Sequence, residues 1–208
     1  MIFAKIRIHI SFFIFLIIAL FAGFLMEACL FLVIILAHEL GHLFFLLLFK
    51  KEIASITLTA IGGIIELKPK KDCFKKDFLI NIGGIFINLI ILIVLRTNYL
   101  SNPYLKVIKQ YNQIMLSFNL LPIYPLDGYR ILASLLGLLY EDEYLDEVLF
   151  YISLLGITIL SIISYLAKSI GLGLILIFLL YKTIKIRQNA NLKQIKKYLD
   201  FKRHLFNR

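Results

Sequence analysis

Residues 36–45 read LAHELGHLFF, which sets His38 and His42 four positions apart with Glu39 between them. On a helix, residues at i and i+4 share a face with their Cβ atoms about 5–6 Å apart. Two neutral imidazoles so placed can hold one zinc ion, and an adjacent glutamate can reach a metal-polarised water as general base. Gly41, inside the same motif, allows another backbone or a substrate to come close. The bland alternative is a pair of hydrogen-bonded core histidines. It is the weaker reading because the motif interrupts an apolar run, 28–49, where three ionisable groups are costly unless they do something.

A zinc that activates water usually has three protein ligands and one open position, so two histidines leave one ligand to find. Asp127, in FNLLPIYPLDGYR (118–130), follows Pro122 and Pro125, which break the helix and can carry irregular backbone back to membrane depth. Glu66 is the rival carboxylate. Asn119 could donate an amide hydrogen bond to a developing oxyanion, or simply pack between helices. GGIFIN (83–88) suits close helix packing with one polar contact, and a substrate-facing role is the alternative. His9 and His204 read as interfacial or solvated, and Glu141, Asp142 and Glu143 as a solvated loop.

The elements that must position these residues are helices in a membrane. Of 208 residues 61% are hydrophobic and only 17% charged, with mean hydropathy +0.89, far above a soluble domain. The pattern predicts an all-α polytopic membrane protein of about six spans, near 10–26, 28–49, 77–96, 104–121, 147–167 and 170–187, each close to the roughly 20 residues a crossing needs. The start, 1–26, has signal-peptide character but no small-residue cleavage site, and is kept as the first helix. Between helices 2 and 3, IASITLTAIGGIIEL (53–67) predicts a small membrane-associated β-hairpin that turns at Gly62–Gly63. Its edge could pair with an extended peptide. Two domains are expected: a helical membrane domain, 1–187, and a basic amphipathic cytoplasmic tail, 188–208.

Nineteen of the 23 lysines and arginines fall on one side of this topology and four on the other. By the positive-inside rule both termini are cytoplasmic. His42 and His38 precede Lys50 by eight and twelve residues, so they lie about 12–18 Å into the bilayer from that side. The net charge of +10 sits in loops, which favours anionic lipid over nucleic acid as its partner. Cys29 and Cys73 lie at opposite ends of one segment and have no CxxC pattern, so no disulfide joins them.

HELGH on the second span, N-x-x-P-x-x-P-L-D-G at 119–128, a GG-x-x-E hairpin at Gly62, Gly63 and Glu66, and six spans together resemble the site-2 protease family of intramembrane zinc metalloproteases. Within it the likeness is strongest to sporulation proteases that release a sigma factor from a membrane-bound precursor. The resemblance implies His38, His42 and Asp127 as ligands of one zinc ion, Glu39 as general base and Asn119 as an active-site polar group. It also implies a membrane-associated protein substrate, inhibitory membrane partner proteins, room for an oligomer, and a bacterial cytoplasmic or forespore-type membrane. Residues 83–88 depart from the family's A-G-P-x-x-N at Gly83 and Ile85. Tyr129 stands where a second glycine is common, and the nucleotide sensing that many relatives perform through an appended cytoplasmic domain is not implied by these residues. A zinc or other ion transporter is the rival from another class, but such proteins scatter ligands over repeated helices. A protease acting on an anti-sigma factor and a catalytically dead scaffold are the remaining alternatives.

Overall fold

A computed structural model describes residues 5–59, 62–68, 74–97, 102–139 and 142–206. Cys73 and Glu141 lie outside these residues, as do the side chains of Asp142, Glu143 and His204. The elements run β1 (Lys5–Ile8), α1 (Ile10–Phe21), α2 (Leu25–Leu48), β2 (Ile53–Thr59), β3 (Gly62–Leu67), α3 (Phe74–Thr97), α4 (Pro103–Asn119), α5 (Asp127–Leu136), α6 (Asp142–Leu166) and α7 (Ile170–Phe206). The protein is mainly helical with one small sheet. Three described helices are long and apolar enough to cross a membrane: Leu25–Leu48, Phe74–Arg96 and Tyr144–Leu166. α1 has 12 residues and α4 has 17. The chain forms two compact units, which divide between Leu120 and Leu121.

The first unit holds the sheet and α1–α4. Its sheet has three strands in the order β1-β2-β3, one more than the expected hairpin. β1 pairs in parallel with β2, Lys5 opposite Ser55. A parallel pair needs a long crossover, and α1 with α2 supplies it. His9 leads from strand to helix: its backbone N–H donates to the Leu58 carbonyl at 2.8 Å, and its ring caps α1 by accepting from the Ser11 N–H. Gly23, with φ +83, turns the chain between α1 and α2. β3 runs antiparallel to β2, with Gly62 opposite Thr59 and Gly63 opposite Leu58. The glycine pair expected at the turn therefore lies inside β3.

Leu46, Ile53 and Ile80 are buried together where α2 ends, β2 begins and α3 starts, with Phe45, Phe49, Ile56 and Ile65 packed around them. Lys51 and Asp77 form an ion pair at 2.9 Å beside this cluster. α2 and α3 then run antiparallel in backbone contact. A methyl group on Gly41 would strike the Gly83 carbonyl, and one on Gly83 would strike Gly41. Small residues at such a crossing are what let membrane helices pack closely.

The second unit holds α5–α7. α6 and α7 are joined through Lys168, which has φ +51. Ile123, Ile157, Leu176 and Leu179 make its core. The segment before α5 is anchored on these helices. Ile123 is fully buried against Gly156, the Ser153 hydroxyl accepts from the Tyr124 N–H, and the Thr183 hydroxyl donates to the Tyr124 carbonyl. α7 continues without a break from Ile170 to Phe206, so the last predicted span and the start of the tail share one helix.

Candidate metal centre

His38 and His42 project from one face of α2, and both are buried, at 3% and 8% exposure. Their Nε2 atoms lie 3.1 Å apart. The His42 Nδ1 is 2.8 Å from the Ile80 carbonyl oxygen of α3. A carbonyl can only accept, so Nδ1 carries the proton and the Nε2 lone pair points at the neighbouring imidazole. An outward carbonyl on one ring nitrogen is the usual device for presenting the other to a metal. The two nitrogens are close enough for one ion to be shared between them at ordinary zinc–nitrogen bond lengths of about 2.0–2.1 Å. The donor set and its spacing fit zinc.

α3 shapes the wall opposite the rings. A Cβ built on Gly84 would lie 2.5 Å from His38 Cε1, His38 Nε2 and His42 Nε2. Only glycine allows the helix this near, so the GGIFIN stretch frames the imidazoles. The motif's spacing gives no sign of that, because the contact joins residues more than 40 positions apart.

Glu39, half-buried on the next face of α2, meets the sheet. Its Oε1 accepts from the Gly63 N–H at 3.1 Å. Cβ atoms on Gly62 and Gly63 would come within 3.2 and 3.1 Å of the carboxylate group. Gly62 also has φ +146, a conformation glycine adopts without strain. The hairpin glycines thus serve the glutamate, a use that a turn signal in the sequence conceals.

Asp127 opens α5 and is 7% exposed. It is placed by the anchored segment before it, and an acidic residue in a first turn suits the helix dipole. His38 and His42 belong to the first unit and Asp127 to the second, and the three as ligands of one ion are what the sequence resemblance implies. Glu66 is exposed and accepts a 2.6 Å hydrogen bond from the Ser55 hydroxyl across the strands. Asn119 is the last residue of α4 and is half-buried. Its part in the site rests on the sequence.

Two residues beyond Asp127, Tyr129 is pushed up to about 12, first by burial and then by the charge of Asp146 and by Tyr124. A phenol so displaced stays protonated at any physiological pH.

No family model matches the chain. It is 29% identical over 136 residues to stage IV sporulation protein FB of Bacillus subtilis, covering 63% of this chain and 47% of that one. It is 30% identical over 151 residues to a zinc metalloprotease of Methanocaldococcus jannaschii, covering 65% of this chain and 43% of the relative. The chain therefore spans less than half the length of these curated relatives. Among solved structures, the site-2 protease from Methanocaldococcus jannaschii superposes with a TM-score of 0.67 at 25% identity, covering 89% of this chain and 92% of that one.

Proposed function

We infer that this chain is a member of the site-2 protease family, and we propose that it is a zinc metalloendopeptidase that cuts a membrane-associated protein within the bilayer, near the cytoplasmic face. The observation that carries this reading is the pair of imidazole nitrogens 3.1 Å apart against Gly84, with Glu39 alongside on the same helix.

His38, His42 and Asp127 would hold the zinc. Bound there, it would supply Lewis acidity, lowering the pKa of water toward about 7 and polarising the scissile carbonyl. Glu39 takes the proton from the attacking water and returns it to the leaving amine, the work of a positioned carboxylate. The Gly63 N–H holds that carboxylate in one orientation. Asn119 donates to the oxyanion of the tetrahedral intermediate. A membrane helix hides its peptide bonds, so the substrate must be extended at the cut. β3 is an edge strand, which supports docking of an extended segment by strand addition beside Glu39.

The lysine and arginine asymmetry supports cytoplasmic termini. The resemblance to sporulation proteases supports a membrane-bound sigma-factor precursor as substrate and a bacterial cytoplasmic or forespore-type membrane as the site of action. An anti-sigma factor is the alternative substrate. Inhibitory membrane partners and an oligomeric assembly are compatible with the exposed apolar faces of α6 and α7. Co-expression with each membrane-anchored candidate, in parallel with Glu39→Gln, tests the reading. Cleavage by the wild type alone, with zinc retained in both, is the expected result. Equal cleavage by the variant would overturn the role of Glu39.

A further inference from the structure

Asn88 sits on α3 one helical turn beyond Gly84. The antiparallel register that sets Gly41 against Gly83 and His38 against Gly84 continues to Ile34 against Asn88. Side chains on a helix lean toward its N-terminus, so the Asn88 amide leans back toward the turn that touches the imidazoles. Asn88 and Asn112 of α4 are both 0% exposed. One hydrogen bond joins them: the Asn112 side-chain amide donates to the Asn88 backbone carbonyl at 2.8 Å. Asn88 Nδ2, Asn88 Oδ1 and Asn112 Oδ1 have no hydrogen-bond partner among the described residues.

Helix packing alone does not account for this. An asparagine that glues membrane helices does so by completing its bonds, and a buried polar atom left unmet costs more than one ordinary hydrogen bond returns. A leucine of similar shape would pack here without that cost. One donor and two acceptors left unmet on two buried asparagines of neighbouring helices offer the partners of a buried water, which typically makes about three hydrogen bonds. A substrate peptide group would offer matching chemistry, but Asn88 is fully enclosed and water needs no opening of the helices.

We propose that Asn88 and Asn112 hold ordered water in the α2–α3–α4 seam, one turn from the His38 and His42 Nε2 atoms, and that this water supplies the hydrolytic site. The supply role rests on the protease reading; the water site itself does not.

The test is X-ray hydroxyl-radical footprinting of the full zinc-loaded chain in lipid nanodiscs, because radiolysis of a bound water labels the side chains beside it. Ile34, at 2% exposure, is the reporter. The wild type should label Ile34, and Asn88→Leu should lose that label several-fold while exposed Tyr165 is labelled equally in both. kcat should fall roughly tenfold in Asn88→Leu with KM and zinc content unchanged, the size expected when a group behind a metal site is lost. Asn88→Ser, which keeps a hydroxyl and leaves room for water, should retain the label and guards against a leucine variant that fails to fold. An unlabelled Ile34 in the wild type, or equal labelling in Asn88→Leu, overturns the proposal. A footprint that changes as expected in a chain that cleaves no candidate substrate would keep the water site and sink its role in hydrolysis. Wild-type cleavage with no Ile34 label would overturn the water site and its supply role together and leave the protease reading standing.

Discussion

Gly84→Ala places a methyl group where the structure leaves none. The new Cβ would sit 2.5 Å from His38 Nε2, His38 Cε1 and His42 Nε2, whereas ordinary contact begins near 3.4 Å. The rings must retreat by about 1 Å, several times the roughly 0.2 Å tolerance of a metal–ligand bond. Neither helix can yield instead, because α2 and α3 already touch backbone to backbone at Gly41 and Gly83. His42 is further tied to the Ile80 carbonyl, so its retreat breaks that bond. A misplacement of about 1 Å costs on the order of a hundredfold in rate, or about 2.7 kcal/mol. Loss of ligand orientation costs a further ten- to hundredfold in metal affinity, to order of magnitude. The assay is zinc stoichiometry against a competing chelator, together with cleavage of a co-expressed membrane substrate and a thermal melt. Gly171→Ala is the control, since nothing lies within 4 Å of its Cβ position, and it should match the wild type in all three. A Gly84→Ala protein that holds zinc at wild-type affinity and cleaves within threefold of wild type would refute the geometry of this wall.

Asp127→Ala should lower zinc content, with affinity falling by roughly a hundredfold or more; metal analysis that finds full occupancy would return Glu66 to consideration. Gly63→Ala brings a Cβ within 3.1 Å of the Glu39 carboxyl carbon, so kcat should drop by roughly tenfold while zinc stays bound, as single-turnover cleavage with parallel metal analysis will show. Tyr129, displaced from 10.0 to about 12, should ionise in a late step near pH 12 in a titration followed at 295 nm, a step that Tyr129→Phe removes. The shift is upward, so its stabilising effect is complete below pH 10 and is lost as the pH rises from 10 toward 12, which a melt series across that window will show as falling stability. Asp146→Asn removes the nearby negative charge and should bring the Tyr129 transition down.

The four-residue spacing of His38 and His42, with Glu39 beside them, is a property of helical geometry, and so the sequence alone places both imidazoles on one face. The apolar runs carry the membrane class in the same local way. The β-prone alternation over 53–67 likewise announces a hairpin, since a period of two is a local signal. What is not local is not legible. β1 is four residues long, and it becomes a strand only because β2, some 50 positions later, offers a parallel edge. α5, DGYRILASLL, is easily lost behind the two prolines that precede it, although its acidic first turn and spaced apolar residues were there to be read. Gly62 and Gly63 have the composition of a turn, yet they lie in β3 because a carboxylate on α2 needs the space. In the sequence Asp127 is the favoured third ligand and Glu66 its rival. Cross-strand register occupies Glu66 with Ser55, and anchoring of the chain at Ile123 buries Asp127. The sequence by itself determined which groups could do the chemistry, because their spacing is set by a single helix. The tertiary structure decided how close α3 may come to the rings and how the hairpin holds Glu39, because both depend on contacts between segments that no local periodicity encodes.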